Sequence, residues 1–408
     1  MRWRNVNWLT PQGDIRSGSV TAEGGRFVRA AGEARLRAGA DLLLPGLVDL
    51  HTHAMAGFPY GSPVEEEGRA AMRALARAGT TAFLFATMAE PEETLAAQCR
   101  AIRAARERQS LRVPMEASSQ ASRANPTEAK AVGPVRANCG EARCLGVYLE
   151  GPFLSPDKKG GHVAENLCLP NPAMAQRLNA ASGGCLRVVC AAPELSGALQ
   201  GLPGAVPGLP GAVPGAVVSL AHTAADYELA ARAFDAGFSN VTHLFNCMEP
   251  LLHRAPGPIG AAAERPSITV ELIADGLHSH PSAVRAAFAL FGAERICLIS
   301  DSIAVCGLAQ GAYSIGGLNV TLSGGKATLS GTDTIAGSAV PLLECFRRAV
   351  SFGVPLAQAA VSATRTPARR LSLDRELGVI APGRLADAVL LSPDLTLKAV
   401  WLGGEELT

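Results

Sequence analysis

Lysine is almost missing from this chain of 408 residues, which carries only Lys130, Lys158, Lys159, Lys326 and Lys398. Nearly all its cations are arginines, and with abundant Ala, Gly and Pro this looks more like genomic base composition than function. Charge of either sign is also thin. A charged fraction of 18% and a formal net charge of +1 give no electrostatic case for nucleic acid or an anionic membrane surface. No stretch offers the roughly 18 uninterrupted apolar residues of a membrane span, and the opening MRWRNVNWLT lacks the apolar run of a signal peptide. A soluble, cytoplasmic protein is expected. The ten cysteines include no CxxC pair, which argues against a zinc ribbon or a thioredoxin-like redox site and leaves reduced, mostly buried thiols as the expectation.

What is plentiful is apolar material, 48% of the chain, enough for a large core. Short runs rich in Val, Ile, Leu or Phe alternate with Ala/Leu/Arg stretches of helical character, an order that argues for parallel strands joined by helices. Eight such runs can be read: 46–53, 80–87, 145–150, 186–191, 217–222, 240–245, 268–273 and 296–301. Eight closes a barrel, so the expected fold is an α/β protein with a (β/α)₈ TIM-type barrel over 45–373. Segments 65–78, 91–108 and 227–236 have the length and content of its amphipathic helices.

Residues 1–44 and 374–408 break that pattern with short strands separated by Gly turns such as Gly24-Gly25 and Gly403-Gly404. The two ends are expected to pair into a small β-sandwich domain beside the barrel. Residues 110–143 show no clear period and read as an irregular excursion. The heptapeptide GLPGAVP occurs twice in succession, at 201–207 and 208–214, where Pro and Gly exclude a regular helix; a surface loop is expected.

All eight histidines (51, 53, 162, 222, 243, 253, 278 and 280) fall at or just beyond the C-terminal end of a proposed strand. A barrel gathers those ends into one rim, where active sites form. In His51-Thr52-His53 the spacing of two puts both imidazoles on one face of the first strand, so both can reach one ion. HxH alone is weak, but here it follows Pro45-Gly46-Leu47-Val48-Asp49, an opening shared by amidohydrolases. His222 and His243 end two later strands and complete a nitrogen-rich set suited to a divalent metal, zinc or iron, with one or two ions per subunit.

Two-metal amidohydrolases often bridge their ions with a carboxylated Lys on the fourth strand. None of the eight runs contains Lys, so another anion must serve. Glu150 ends the third run and is the only acid so placed between strands two and four. Asp301 closes the eighth. Hydrolysis of an amide needs a group that takes the proton of the attacking water and returns it to the departing nitrogen, and Asp301 is the candidate for that shuttle, with a metal ligand as its other reading.

With these residues placed, the chain resembles the N-acetylglucosamine-6-phosphate deacetylases over most of the barrel. The matching stretches are LEGPFLSPDKKGGH (149–162), HTAADY (222–227), THLFNCMEPLLHRAPGPIGAA (242–262), ADGLH (274–278) and LGVIAPGRLADAVLL (377–391). The resemblance implies that Glu150, His222 and His243 hold the principal metal, that Asp301 is the acid/base, and that His162 orients or polarises the acetyl carbonyl. It assigns the sugar phosphate to Asn246, the backbone at Cys247, Arg254 and His278, with Gly161 and the loop Ala336-Gly337-Ser338 closing around the sugar. His51 and His53 place the chain with members that can hold a second ion.

Three departures accompany the match: Ala54 to Tyr60 replaces the family's Gly-rich run, Tyr148 stands where His is frequent, and Cys247 where Ala is frequent. Arg254 lies on a loop stiffened by Pro250, Pro256 and Pro258; in the family the matching Arg reaches the neighbouring subunit's substrate, which implies a homodimer with shared sites. The expected reaction converts N-acetylglucosamine 6-phosphate to glucosamine 6-phosphate and acetate. Its rivals are the galactosamine epimer, another amidohydrolase such as a D-aminoacylase, and an inactive barrel acting as a binding protein.

Overall fold

In the computed structural model, which describes residues 1–109, 140–202, 213–315 and 317–407, eight strands form one all-parallel sheet. In chain order they are Leu47–Thr52, Thr80–Ala86, Arg143–Leu149, Leu186–Ala191, Val217–Leu220, Phe238–Val241, Thr269–Ile273 and Ile296–Ile299, each hydrogen-bonded to the next. The last returns to the first, since Asp301 N–H donates to His51 O at 2.9 Å. Each of the eight expected runs holds a barrel strand, although 240–245 shares only Asn240 and Val241 with its strand. They read as unbroken apolar runs because both faces are covered, inward by the barrel core and outward by helices.

The helices follow their local signals. Glu65–Arg77 opens with three acids and ends on Arg77, which complements the helix dipole, and buries Ala71, Met72, Leu75 and Ala76 on one face. Tyr227–Ala236 is capped by Asp226, whose side chain accepts from Leu229 N–H, and stopped by Gly237 at φ 117°.

Both chain ends contribute to one seven-stranded sheet, in the order Glu405–Glu406, Leu397–Leu402, Ala388–Leu391, Leu42–Pro45, Arg2–Leu9, Ile15–Glu23, Arg26–Glu33. The ends join where Leu44 pairs with Val389. Leu42 and Leu44 pack into the barrel's core, while Leu43 points the other way into a cluster with Trp3, Trp8, Phe27 and Trp401. A four-stranded antiparallel sheet, Gly311–Ile315, Leu318–Ser323, Lys326–Leu329 and Ile335–Gly337, follows the eighth barrel strand. It was not read from the sequence. Most of the irregular excursion and of the GLPGAVP repeat lies outside the described residues; a short helix, Ala198–Gly201, runs into the first copy.

Candidate active site

Six of the eight histidines meet at the C-terminal rim of the barrel. The other two do not: His253 is exposed, and exposed His280 caps helix Pro281–Phe291 by accepting Ser282 N–H at 3.1 Å. Glu150, just past the third strand, stands among five imidazoles. Its Oε1 lies 3.4 Å from His51, 3.3 Å from His222 and 3.0 Å from His243, and its Oε2 lies 3.4 Å from both His53 and His162, all measured to Nε2. Asp301 Oδ1 is 3.0 Å from His53 Nε2 and 3.5 Å from His51 Nε2. Backbone strain accompanies these positions, since His222 (φ 42°), His243 (φ 26°) and Asp301 (φ 51°) all occupy the left-handed side that side chains avoid.

Which ring nitrogen holds the proton decides what each histidine can do. His222 donates from Nδ1 to Lys158 O at 2.7 Å, His53 from Nδ1 to Ala86 O at 2.9 Å, and His51 from Nδ1 to Glu271 Oε2 at 3.1 Å. In its neutral form each ring would present an Nε2 lone pair to the carboxylates, acceptor against acceptor. His51 Nε2 is buried with no hydrogen-bond partner. His222 and His243 even bring their Nε2 atoms to 3.1 Å. A divalent cation between these atoms would resolve the repulsion, and His51, His53, Glu150, His222, His243 and Asp301 are the residues that could hold it.

His162 is different, although it too clusters with Glu150 and His222. Its Nδ1 accepts Ala89 N–H at 3.1 Å, which puts the proton of the neutral ring on Nε2. Burial outweighs the pull of Glu150 and holds this histidine below the ordinary imidazole range, so it is neutral at neutral pH. It therefore faces Glu150 with an N–H and not with a lone pair. Asp301 is ionised there: burial works to raise it, but His53 and His51 outweigh burial and bring it down to about 2. Glu150 is likewise held well below the carboxylate range, the surrounding histidines overcoming burial.

These groups open into a cavity of about 270 Å³ lined also by Met88, Gly160, Gly161, Asn246, Cys247, His278 and Thr334 to Gly337. Gly160 is required by close approach, because a Cβ there would sit 2.8 Å from Cys247 Sγ and 3.2 Å from His222 Cε1. His278 donates from Nδ1 to Asp275 Oδ2 at 2.7 Å, and Asp275 outweighs the effect of burial to raise the histidine above its ordinary value.

Residues 215–407 match the model of the amidohydrolase family. The chain is 32% identical over 368 residues to the N-acetylgalactosamine-6-phosphate deacetylase of Escherichia coli O157:H7, covering 90% of this chain and 88% of the relative. It is 30% identical over 404 residues to the N-acetylglucosamine-6-phosphate deacetylase of Bacillus subtilis, covering 96% and 93%. The chain belongs to the N-acetylglucosamine-6-phosphate deacetylase family of amidohydrolases. An aspartate-to-alanine variant of the Mycobacterium smegmatis deacetylase, solved in complex with N-acetyl-D-glucosamine-6-phosphate, superposes with a TM-score of 0.84 at 30% identity, over 100% of this chain and 99% of that one.

Against the expectations for this deacetylase family, His53, Glu150, His162, His222, His243 and Asp301 line the cavity together, as do Gly161, Asn246, Cys247, His278, Ala336 and Gly337. His51 lies fully buried beneath it. Ser338 does not line it; it pairs through its backbone with Ser302 and donates N–H to Asp301 O at 2.8 Å. Ala336 and Gly337 arrive on a strand and not on a loop. Arg254 is exposed and not among the lining residues. Sequence reasoning missed Glu271, whose only signal was a lone acid inside the apolar run 268–273, and Ala89, whose backbone N–H carries no signal at all.

Proposed function

We propose that this chain removes the acetyl group of an N-acetylhexosamine 6-phosphate, with N-acetylglucosamine 6-phosphate as favoured substrate and glucosamine 6-phosphate and acetate as products. The observation that carries this reading is the ring of metal-competent imidazoles around Glu150, with ionised Asp301 and the Nε2–H of His162 facing the same cavity. The nitrogen-rich set suits zinc or iron. A divalent cation, when bound, supplies Lewis acidity that makes water nucleophilic near neutral pH.

The chain's own groups supply the remainder. Asp301, unprotonated at neutral pH, takes the proton of the attacking water and delivers it to the departing sugar nitrogen. His162 donates from Nε2 to the acetyl oxygen as negative charge develops there. His278, whose protonated form Asp275 favours, and the amide of Asn246 meet the phosphate. No Lys or Arg lines the cavity among the described residues, so a dianion there is short of cations. Exposed Arg254 of a neighbouring subunit in a homodimer supplies one. Ala336 and Gly337 close over the sugar, and the cytoplasm is the compartment this reading favours.

A second reading, deacetylation of the galactosamine epimer, is favoured by one specific observation: the Escherichia coli relative bears that name and is as similar as the Bacillus subtilis one named for the glucosamine sugar. Both readings predict acetate and free amine in a one-to-one ratio. Incubating the zinc-loaded protein with each epimer and quantifying both products decides between them; neither product from either epimer contradicts the proposal.

A further inference from the structure

Glu271 sits in the seventh barrel strand, fully buried, beneath the site and outside the cavity. Burying a carboxylate is costly unless donors surround it. Three do. Glu271 Oε1 accepts Asn240 Nδ2–H at 2.8 Å, and Oε2 accepts Tyr148 O–H at 3.1 Å and His51 Nδ1–H at 3.1 Å.

The direction of this network is fixed from its far end. Thr269 Oγ1 donates to Asn240 Oδ1 at 2.7 Å, so the Asn240 amide nitrogen faces Ser219 Oγ at 2.9 Å and Glu271. Ser219 can then donate to Thr242 at 2.7 Å and Thr242 to Tyr148 at 2.7 Å, an order that agrees with the Tyr148 O–H donating to Glu271. The tyrosine ring also lies against His51, with centroids 4.4 Å apart. Glu271 is therefore a pure acceptor, and His51 is obliged to hold its proton on Nδ1. The unpartnered His51 Nε2 is thereby turned, lone pair forward, toward Glu150 and Asp301.

We propose that Glu271 is a positioning residue that fixes the tautomer and orientation of His51 and so enables the His51/His53/Asp301 side of the site to hold a second divalent cation. Carboxylates behind ligating histidines orient the ring and raise its basicity, and their loss costs metal affinity about 10–100-fold. This rests on the metal-site reading above.

The test is Glu271→Gln, which keeps the volume and removes the anion. A neutral amide no longer holds the imidazole proton on Nδ1 through a negative charge, so the ring loses its fixed orientation and Nε2 loses basicity as a ligand atom. Equilibrium dialysis against zinc should find two ions per wild-type chain and one per variant chain at matched free zinc, the weaker site losing at least ~10-fold in affinity. Tyr148→Phe, which keeps the anion, should retain both. Wild type binding no ion contradicts the metal-site reading itself. Wild type binding one ion, or a folded Glu271→Gln chain binding two with unchanged affinities, overturns the role of Glu271. If the variant fails to fold, ¹H–¹⁵N long-range correlation of the zinc-loaded wild type, labelled at histidine, reads the tautomer directly: a proton on His51 Nδ1 is expected, and one on Nε2 overturns the proposal.

Discussion

The Nε2 atoms of His222 and His243 lie 3.1 Å apart, and both face Glu150 Oε1. With the His222 Nδ1 proton committed to Lys158 O, its neutral ring turns the Nε2 lone pair toward Glu150, an arrangement that a cation stabilises. Chelation should therefore abolish activity and added zinc restore it, while His222→Ala and His243→Ala lower the metal content of folded protein. Full turnover in protein shown to be free of metal contradicts this.

Asp301 and His162 are assigned different tasks, and their variants should differ accordingly. Asp301→Asn removes the proton shuttle and should lower kcat by at least ~10² with KM little changed. His162→Gln removes the group placed to donate to the acetyl oxygen. It should cost roughly 10²–10³ in kcat yet keep the bound metal, unlike His222→Ala. Loss of metal with His162→Gln would show it to be a ligand.

The His278–Asp275 pair predicts how substrate affinity depends on pH. His278 is raised above the ordinary imidazole value of about 6.5, so its charge is fully present below that value and is lost as pH rises through the raised one. Asp275 is lowered, burial being outweighed by His278, so its share of the pair's stabilisation is present above the ordinary carboxylate value and is lost only as pH falls through the lowered one. KM for a phosphorylated substrate should stay low through neutral pH and climb on the alkaline side. Asp275→Asn should move that climb to lower pH, which KM measured across a pH series will detect. An unchanged profile removes His278 from the phosphate site.

Arg254 is exposed and separate from its own chain's cavity. If it completes the neighbour's site, Arg254→Ala should lose about 2 to 4 kcal/mol of transition-state binding, as when one partner of a buried charge pair is truncated. Mixing Arg254→Ala with Asp301→Asn chains then places both lesions in one site of a mixed dimer and none in the other. Such dimers should recover about half of wild-type activity; exchange without recovery means Arg254 serves its own chain.

The barrel was legible in the sequence because strands covered on both faces must be apolar throughout, and its eight runs were all found. The imidazole donors were legible because strand ends share one rim. The antiparallel sheet starting at Gly311 was not, since its first strand buries almost nothing and so shows no alternation. Glu271 was passed over because its partners His51, Tyr148 and Asn240 come from three other strands, a proximity that only the closed barrel creates. His253 and His280 show the opposite error, since a place after a strand does not ensure a place in the site.

The most direct test of the account is acetate release by the zinc-loaded protein across a panel of N-acetylated sugars, each with and without a 6-phosphate. The kcat/KM for N-acetylglucosamine 6-phosphate should lie at least ~10²-fold above that for the unphosphorylated sugar, the ratio expected when about 3 kcal/mol of phosphate binding is lost. Equal rates with and without the phosphate, or release only from N-acetylated amino acids, would contradict it.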